Sequence, residues 1–154
     1  MFTPTLAGFI AWVRSAMGIT TAQLPDDSVF FGYAFAVAME LTNVRIQIAS
    51  PPIYQLAVYN LGGDNLINWA QDPNGAPVNS EGLACFAALR KEFGIFNFTA
   101  GPVSSSGDEG SNVSLEVVEG LKNLLVGQLQ NLKTPYGRVY ISFTQAGGND
   151  MGIT

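Results

Sequence analysis

Hydrophobic side chains recur every three or four residues from Leu6 to Met17, which predicts an amphipathic helix over residues 4–17. The helix is expected to start at Thr3–Pro4, because threonine accepts hydrogen bonds from free backbone N–H groups and proline fits the first helical position. Gly18 is expected to end it in a left-handed conformation.

A second helix, predicted over residues 28–42, is apolar on nearly every side. Asp27 or Ser28 is expected to cap it. A helix without a polar face is usually buried on more than one side, so we predict a central helix or one that another subunit also covers. Its large apolar residues are Val29, Phe30, Phe31, Tyr33, Phe35, Val37, Met39 and Leu41.

Residues 44–48 alternate between apolar and polar side chains, which leaves a short strand and an irregular connection both open. Ser50 and the two prolines after it begin a helix predicted over residues 51–70. Gly62 and Gly63 lie inside this helix, where each costs about 1 kcal/mol relative to alanine. We expect a bend there, or a close approach of another helix.

The next helix is predicted over residues 81–93, with Ser80 as its cap and Gly94 at its end. The pattern then changes: residues 95–99 favour extended structure and a polar, serine- and glycine-rich stretch follows. Long segments without helical spacing are usually functional or disordered. We predict a long extended loop or hairpin arm around residues 95–118.

Helical spacing returns over residues 119–132, and Thr134–Pro135 begins a last segment. Residues 135–146 fit either a helix or a strand, and the glycine-rich residues 147–154 are expected to form a flexible tail. The predicted fold is therefore mainly α: a small helical bundle in one domain, residues 1–146, with the arm at 95–118.

Composition narrows the classes of function. Charged residues make up only 12% of the 154 residues, about half of the ~25% of a typical soluble protein. The net charge of −5 argues against a non-specific DNA-binding protein, which needs clustered Lys and Arg. The longest nearly apolar run is too short to span a bilayer, and no signal peptide is expected at the N-terminus.

Few side chains suit chemistry. The chain contains no histidine and one cysteine, which excludes histidine-based catalysis and cysteine-rich zinc sites. Cys85 is expected to be a small core residue, since no base accompanies it. Asp108 and Glu109 are interpreted as a solvated loop tip in preference to a cation site. No catalytic residue, metal or cofactor is expected, and the chain is not predicted to be an enzyme.

Two sets of polar residues each have two interpretations. Asn60, Asp64 and Asn68 share one helix face, which is either a solvated stripe or a polar seam against another helix or subunit. Five of the seven basic residues follow position 89, and they either bind an acidic partner or balance nearby acids. They are Arg90, Lys91, Lys122, Lys133 and Arg138.

Three segments carry a family resemblance. They are Leu83–Ile95, the serine-rich stretch Gly101–Ser106 followed by Val113–Leu115, and Lys133–Tyr140, which contains Thr134, Tyr136, Gly137 and Tyr140. In this order they resemble the small helical head-completion or head-to-tail connector (adaptor) proteins of tailed bacteriophages. The resemblance covers residues 80–150, and the N-terminal helices only in kind.

The resemblance implies a virion neck protein, assembled in the host cytoplasm, that forms a homo-oligomeric ring, a dodecamer by analogy. Its partners would be the portal protein and tail or neck proteins, and it would enclose DNA without binding it specifically. No membrane partner is expected. Tyr136 and Tyr140 would support the last helix, and the interaction residues would be Ser104, Ser105, Asp108, Glu109, Tyr136, Arg138 and Tyr140.

Two other functions compete with the adaptor. One is another phage neck or tail ring protein, such as a tail terminator or stopper, which would be richer in strands. The other is a small non-viral ligand-binding protein with a pocket under the helix at residues 28–42.

Overall fold

The structure, a computed structural model, describes residues 2–97, 105–108, 111–114 and 130–149. Most of these residues are in helices. The predicted mainly α fold is confirmed. The helices are α1 (Leu6–Trp12), continued by a π-helical turn (Val13–Met17), α2 (Val29–Leu41), α3 (Val44–Ala49), α4 (Pro51–Trp69), α5 (Cys85–Glu92) and α6 (Pro135–Asn149). None of the helices in these ranges is both long and apolar enough to cross a membrane.

The central helix of the bundle is α4. Helices α1, α2, α3, α5 and α6 all pack against it, and every residue of 57–67 is buried. The alternative that placed residues 28–42 at the centre is therefore wrong. The sequence of α4 concealed its position, because glycine and polar residues interrupt its apolar pattern.

Gly62 and Gly63 let α1 and the π-helical turn approach α4 closely. A Cβ atom on Gly62 would lie 2.8 Å from the ring of Phe9, and one on Gly63 would lie 3.0 Å from Trp12 and 3.1 Å from the sulfur of Met17. Helix α4 continues through both glycines. The close approach predicted there is confirmed.

The first helix starts two residues later than predicted. Thr5, not Thr3, is the cap: its hydroxyl accepts a hydrogen bond from the Gly8 N–H at 3.1 Å, and its own N–H donates to the Tyr59 hydroxyl at 3.3 Å. The predicted left-handed end at Gly18 is confirmed by its φ of 69°. Tyr59 thus ties the beginning of α1 to α4.

Residues 44–48 are helical, so both interpretations of this stretch, strand and irregular connection, are wrong. Asn43 caps α3, with its side-chain oxygen accepting from the Arg45 N–H at 2.9 Å. Only Ile46 of this helix is buried. Alternating apolar and polar residues over five positions cannot distinguish a strand from a short helix with one buried residue. The Asn43 cap favours the helix.

Helix α5 begins at Cys85, four residues after the predicted start. Its free N–H groups at Phe86 and Ala87 donate to the Asp72 carboxylate at 2.8 and 3.0 Å, so Ser80 is not the cap. Gly94 ends the helix as predicted, with a φ of 59°. The following N–H, of Ile95, donates to the Arg90 carbonyl, which keeps residues 95–97 in a turn where extended structure was expected.

Part of the predicted arm is a hairpin. Strands β1 (Ser105–Asp108) and β2 (Ser111–Ser114) pair antiparallel, with Ser105 opposite Ser114 and Asp108 opposite Ser111. Residues 135–146, for which a helix and a strand were both predicted as possible, are helical, and α6 extends to Asn149. The rest of the arm, most of the helix predicted at 119–132, and the tail residues 150–154 lie outside the described residues.

Candidate assembly surface

The outward side of α2 carries an apolar stripe. Val29, Tyr33, Ala36 and Glu40 follow each other at spacings of four, three and four residues, which places them on one face of the helix. The opposite face, with Phe31, Ala34 and Ala38, is buried. Val29 is 63% exposed and Tyr33 64% exposed, so the stripe is accessible within a single chain.

The exposed apolar surface continues into α3. Leu41, Val44 and Ile48 are all exposed, and Ile48 reaches 82%. We call the outward residues of both helices the α2–α3 face; it consists of Val29, Tyr33, Ala36, Glu40, Leu41, Val44, Arg45 and Ile48. Single exposed apolar residues are ordinary on protein surfaces, but several on two consecutive helices mark an interaction site.

The face carries one acid and one base. Neither the Glu40 carboxylate nor the Arg45 guanidinium forms an ion pair or a side-chain hydrogen bond with another residue in the described ranges. Burial, with a smaller contribution from the negative charge of Glu40, raises the pKa of Tyr54 at the start of α4. Both charges of the face are therefore available to a partner.

The polar residues of α4 form a seam inside the molecule. Asn60 and Asp64 are buried and Asn68 is half-buried, so the solvated stripe is wrong. The predicted seam holds for Asp64, which bonds outside α4, whereas Asn60 and Asn68 donate to the Leu56 and Asp64 carbonyls of their own helix. The Thr134 hydroxyl, before α6, donates to Asp64 Oδ1, and the Gly137 N–H donates to the Thr134 oxygen at 2.9 Å. This relay joins α4 to the first turn of α6.

Asp64 is 1% exposed. Burial raises its pKa to about 6, while the hydrogen bond from Thr134 opposes that rise. Its other side-chain partner is Asn68, whose amide nitrogen lies 3.4 Å from Oδ2. The carboxylate therefore works as a structural acceptor in the helix seam, out of reach of a substrate.

Cys85 is half-buried at the start of α5, in accord with a structural role. Burial, and secondarily the negative charge of Asp72, raise the pKa of its thiol. A raised pKa lowers the fraction of thiolate, which is the reactive form. In the described ranges no three His, Cys, Asp or Glu residues cluster to hold a metal ion.

The basic residues after position 89 mostly bind the protein itself. The Arg90 guanidinium donates to the Ile67 carbonyl at 2.7 Å and to the Ala70 carbonyl at the end of α4. Lys133 donates to the carbonyls of Ile95 and Asn97, and Lys91 pairs with Glu81 at 2.7 Å. Lys122 lies outside the described residues. With Arg138, which donates to the Leu132 carbonyl, four of the five therefore have intramolecular partners instead of forming a patch for an acidic molecule.

The predicted interaction residues of the C-terminal region do not form one surface. Tyr140 is buried and donates to the Leu41 carbonyl at 3.4 Å, and the Tyr136 ring packs edge-on against Trp12 at 5.7 Å. Both attach α6 to the bundle. Arg138 is exposed, with one nitrogen 3.3 Å from the Leu132 carbonyl.

The predicted interaction residues of the arm fall at opposite ends of the hairpin. Ser105 lies at its open end and Asp108 next to its turn, while Ser104 and Glu109 lie outside the described residues.

Sequence reasoning missed the α2–α3 face as a site. The signal for it was the apolar pattern all round residues 28–42, but taking residues 44–48 for a strand or irregular connection concealed the α3 half.

An open cavity of about 500 Å³ lies at the N-terminal end of α2. Pro25, Asp27 and Phe30 line one side, and Gln71, Asp72 and Asn74 line the other. It adjoins the helix under which the ligand-binding alternative expected a pocket. Asp72 already accepts two backbone N–H groups of α5, which restricts what the cavity offers a ligand.

A matching family model, a matching curated protein and a matching solved structure were each sought for this chain, and none was found.

Proposed function

We propose that this protein is a non-catalytic structural subunit that assembles into a ring and connects the portal of a tailed-bacteriophage capsid to the tail. The observation that carries the proposal is the exposed α2–α3 face. An outward apolar surface of this kind is stabilised when another protein covers it.

Two further features support assembly as the role. The β1–β2 hairpin is a short two-stranded sheet, which is marginally stable in water by itself. The edges of such a sheet offer backbone groups to a neighbouring chain. The segments that resemble adaptor proteins include Thr134, Tyr136, Gly137 and Tyr140, which dock α6 on the bundle.

Net charge is compatible with a ring around DNA. At −5, the chain as a whole repels phosphate weakly, which disfavours non-specific retention of a passing duplex. We hypothesise that acids face the lumen. Neutralising them without any change in DNA retention or ejection would count against this part of the proposal.

The test is electron microscopy of the purified protein, alone and mixed with the portal of a phage that encodes it. We expect closed rings of one stoichiometry that stack coaxially on the portal. A monomer that ignores the portal would contradict the proposal. A monomer that binds a small molecule in the cavity at the start of α2 would favour the ligand-binding alternative.

A further inference from the structure

We propose that the α2–α3 face binds the α2–α3 face of a second copy of this chain, with Glu40 of one copy pairing with Arg45 of the other. The inference rests on the self-assembly in the proposed function and names one contact within it: a face that pairs with itself joins two copies, and a ring needs a second, head-to-tail contact as well.

The first argument is the size and chemistry of what is left exposed. Tyr33 and Ile48 are large, and both project more than half of their surface to solvent. Aromatic side chains supply much of the binding energy in protein interfaces when a partner covers them. The opposite side of α2 already packs on the bundle, so this side is the one left for a second molecule to cover.

The second argument is the shape beside Tyr33. Gly32 and Ala36 flank it on α2, and a Cβ atom placed on Gly32 would meet nothing within 4 Å. The helix surface there is low and open next to a projecting ring. Such relief lets the side chains of an incoming helix reach the backbone of α2, which is the way helices pack in protein interiors.

The third argument is charge, and it identifies the partner as the same chain. Two molecules with a net charge of −5 repel each other overall. The α2–α3 face is neutral, because Glu40 and Arg45 are its charged residues. An acid and a base that are both available on the same face make that face complementary to itself, so a second copy satisfies both charges at once.

Charge reversal tests the pairing. We expect Glu40→Lys and Arg45→Glu each to raise the dissociation constant of self-association about tenfold or more, because each brings like charges together. The double variant E40K/R45E should restore association to within about threefold of the natural protein. An equimolar mixture of the two single variants should also associate, since the lysine introduced in one variant then meets the glutamate introduced in the other.

Matched controls come from the exposed Lys91–Glu81 pair away from this face. Glu81→Lys changes the net charge as Glu40→Lys does, and Lys91→Glu changes it as Arg45→Glu does. Both controls should shift the dissociation constant by no more than about twofold. Circular dichroism checks that every variant keeps its helices, and sedimentation velocity over a dilution series gives the dissociation constants.

The outcomes separate this inference from the proposed function. Weaker self-association of each single variant and its recovery in the double variant support the inference. If the assembly that behaves in this way is a dimer, the inference stands and the proposed ring is overturned. Rings that are indifferent to reversal at both positions would overturn the inference and leave the connector role intact. Equal effects from the controls would also overturn it.

Discussion

Replacing Asp64 by asparagine is expected to increase the stability of the protein at pH 7.5 and to leave it nearly unchanged at pH 4. The asparagine side chain has the same shape as aspartate and keeps an oxygen that accepts from the Thr134 hydroxyl. The change removes the cost of holding a carboxylate that is 1% exposed and forms no ion pair among the described residues. Two basic side chains of the bundle, Arg90 and Lys133, bind carbonyl groups instead.

The sign follows from the pKa. Burial raises the pKa of Asp64 from 3.8 to about 6 in the folded state. Between these values the folded protein binds more protons than the unfolded chain, so stability falls as the pH rises from about 4 through 6 and stays low above. A shift of this size corresponds to about 3 kcal/mol in the free energy of unfolding.

The measurement is urea unfolding of both proteins from pH 4 to pH 8. The difference between them isolates Asp64 from the other acids, and it should grow from near zero to about 2–3 kcal/mol in favour of Asp64→Asn. Thr134→Val should widen the difference, because that change removes the hydrogen bond that favours the charged carboxylate and leaves the burial. A difference that is constant with pH, or that favours Asp64 at pH 8, would contradict the account.

Gly62→Ala is expected to destabilise the bundle by about 2 kcal/mol, although alanine is the better helix former. The added Cβ would lie 2.8 Å from the Phe9 ring. That ring cannot retreat, because it is fully buried among four other aromatic rings at centroid distances of 5.8–6.3 Å: Trp12, Phe31, Phe35 and Tyr59.

Gly32→Ala is the matched control, since Gly32 is also helical but has open space where its Cβ would be. It should stabilise the protein by about 0.5–1 kcal/mol through helix propensity. Both free energies of unfolding are measured at a concentration below that of self-association. The pair should therefore shift stability in opposite directions. Two outcomes would show that the close approach does not limit packing. One is that both glycine variants shift the free energy of unfolding in the same direction. The other is that the effects of Gly62→Ala and Phe9→Leu simply add in the double variant.

The local rules of helix formation made much of this fold predictable from the chain. Ser28 caps α2, Gly18 and Gly94 end their helices, and Gly62–Gly63 mark a close approach, as expected. Each of these features depends on a few adjacent residues, or on a missing side chain. Such features are local, so a single sequence contains them.

Features that depend on distant residues were missed. The cap of α5 comes from Asp72, thirteen residues before Cys85, and the acceptor for Thr134 is Asp64 on another helix. Burial of the α4 seam likewise depends on helices packed from several directions. The apolar character of α2 was visible in sequence, but which of its sides remained exposed depended on where α4 lies.

Sedimentation velocity over a wide range of protein concentrations tests the central claim, that the α2–α3 face is covered by another copy. We expect a species at least twice as heavy as the 16.4 kDa chain, which dissociates on dilution. Tyr33→Asp, which places a charge in the middle of the face, should weaken association about 100-fold. Val78→Asp, at a similarly exposed valine outside the face, should leave it unchanged. A 16.4 kDa monomer at every concentration would contradict the account.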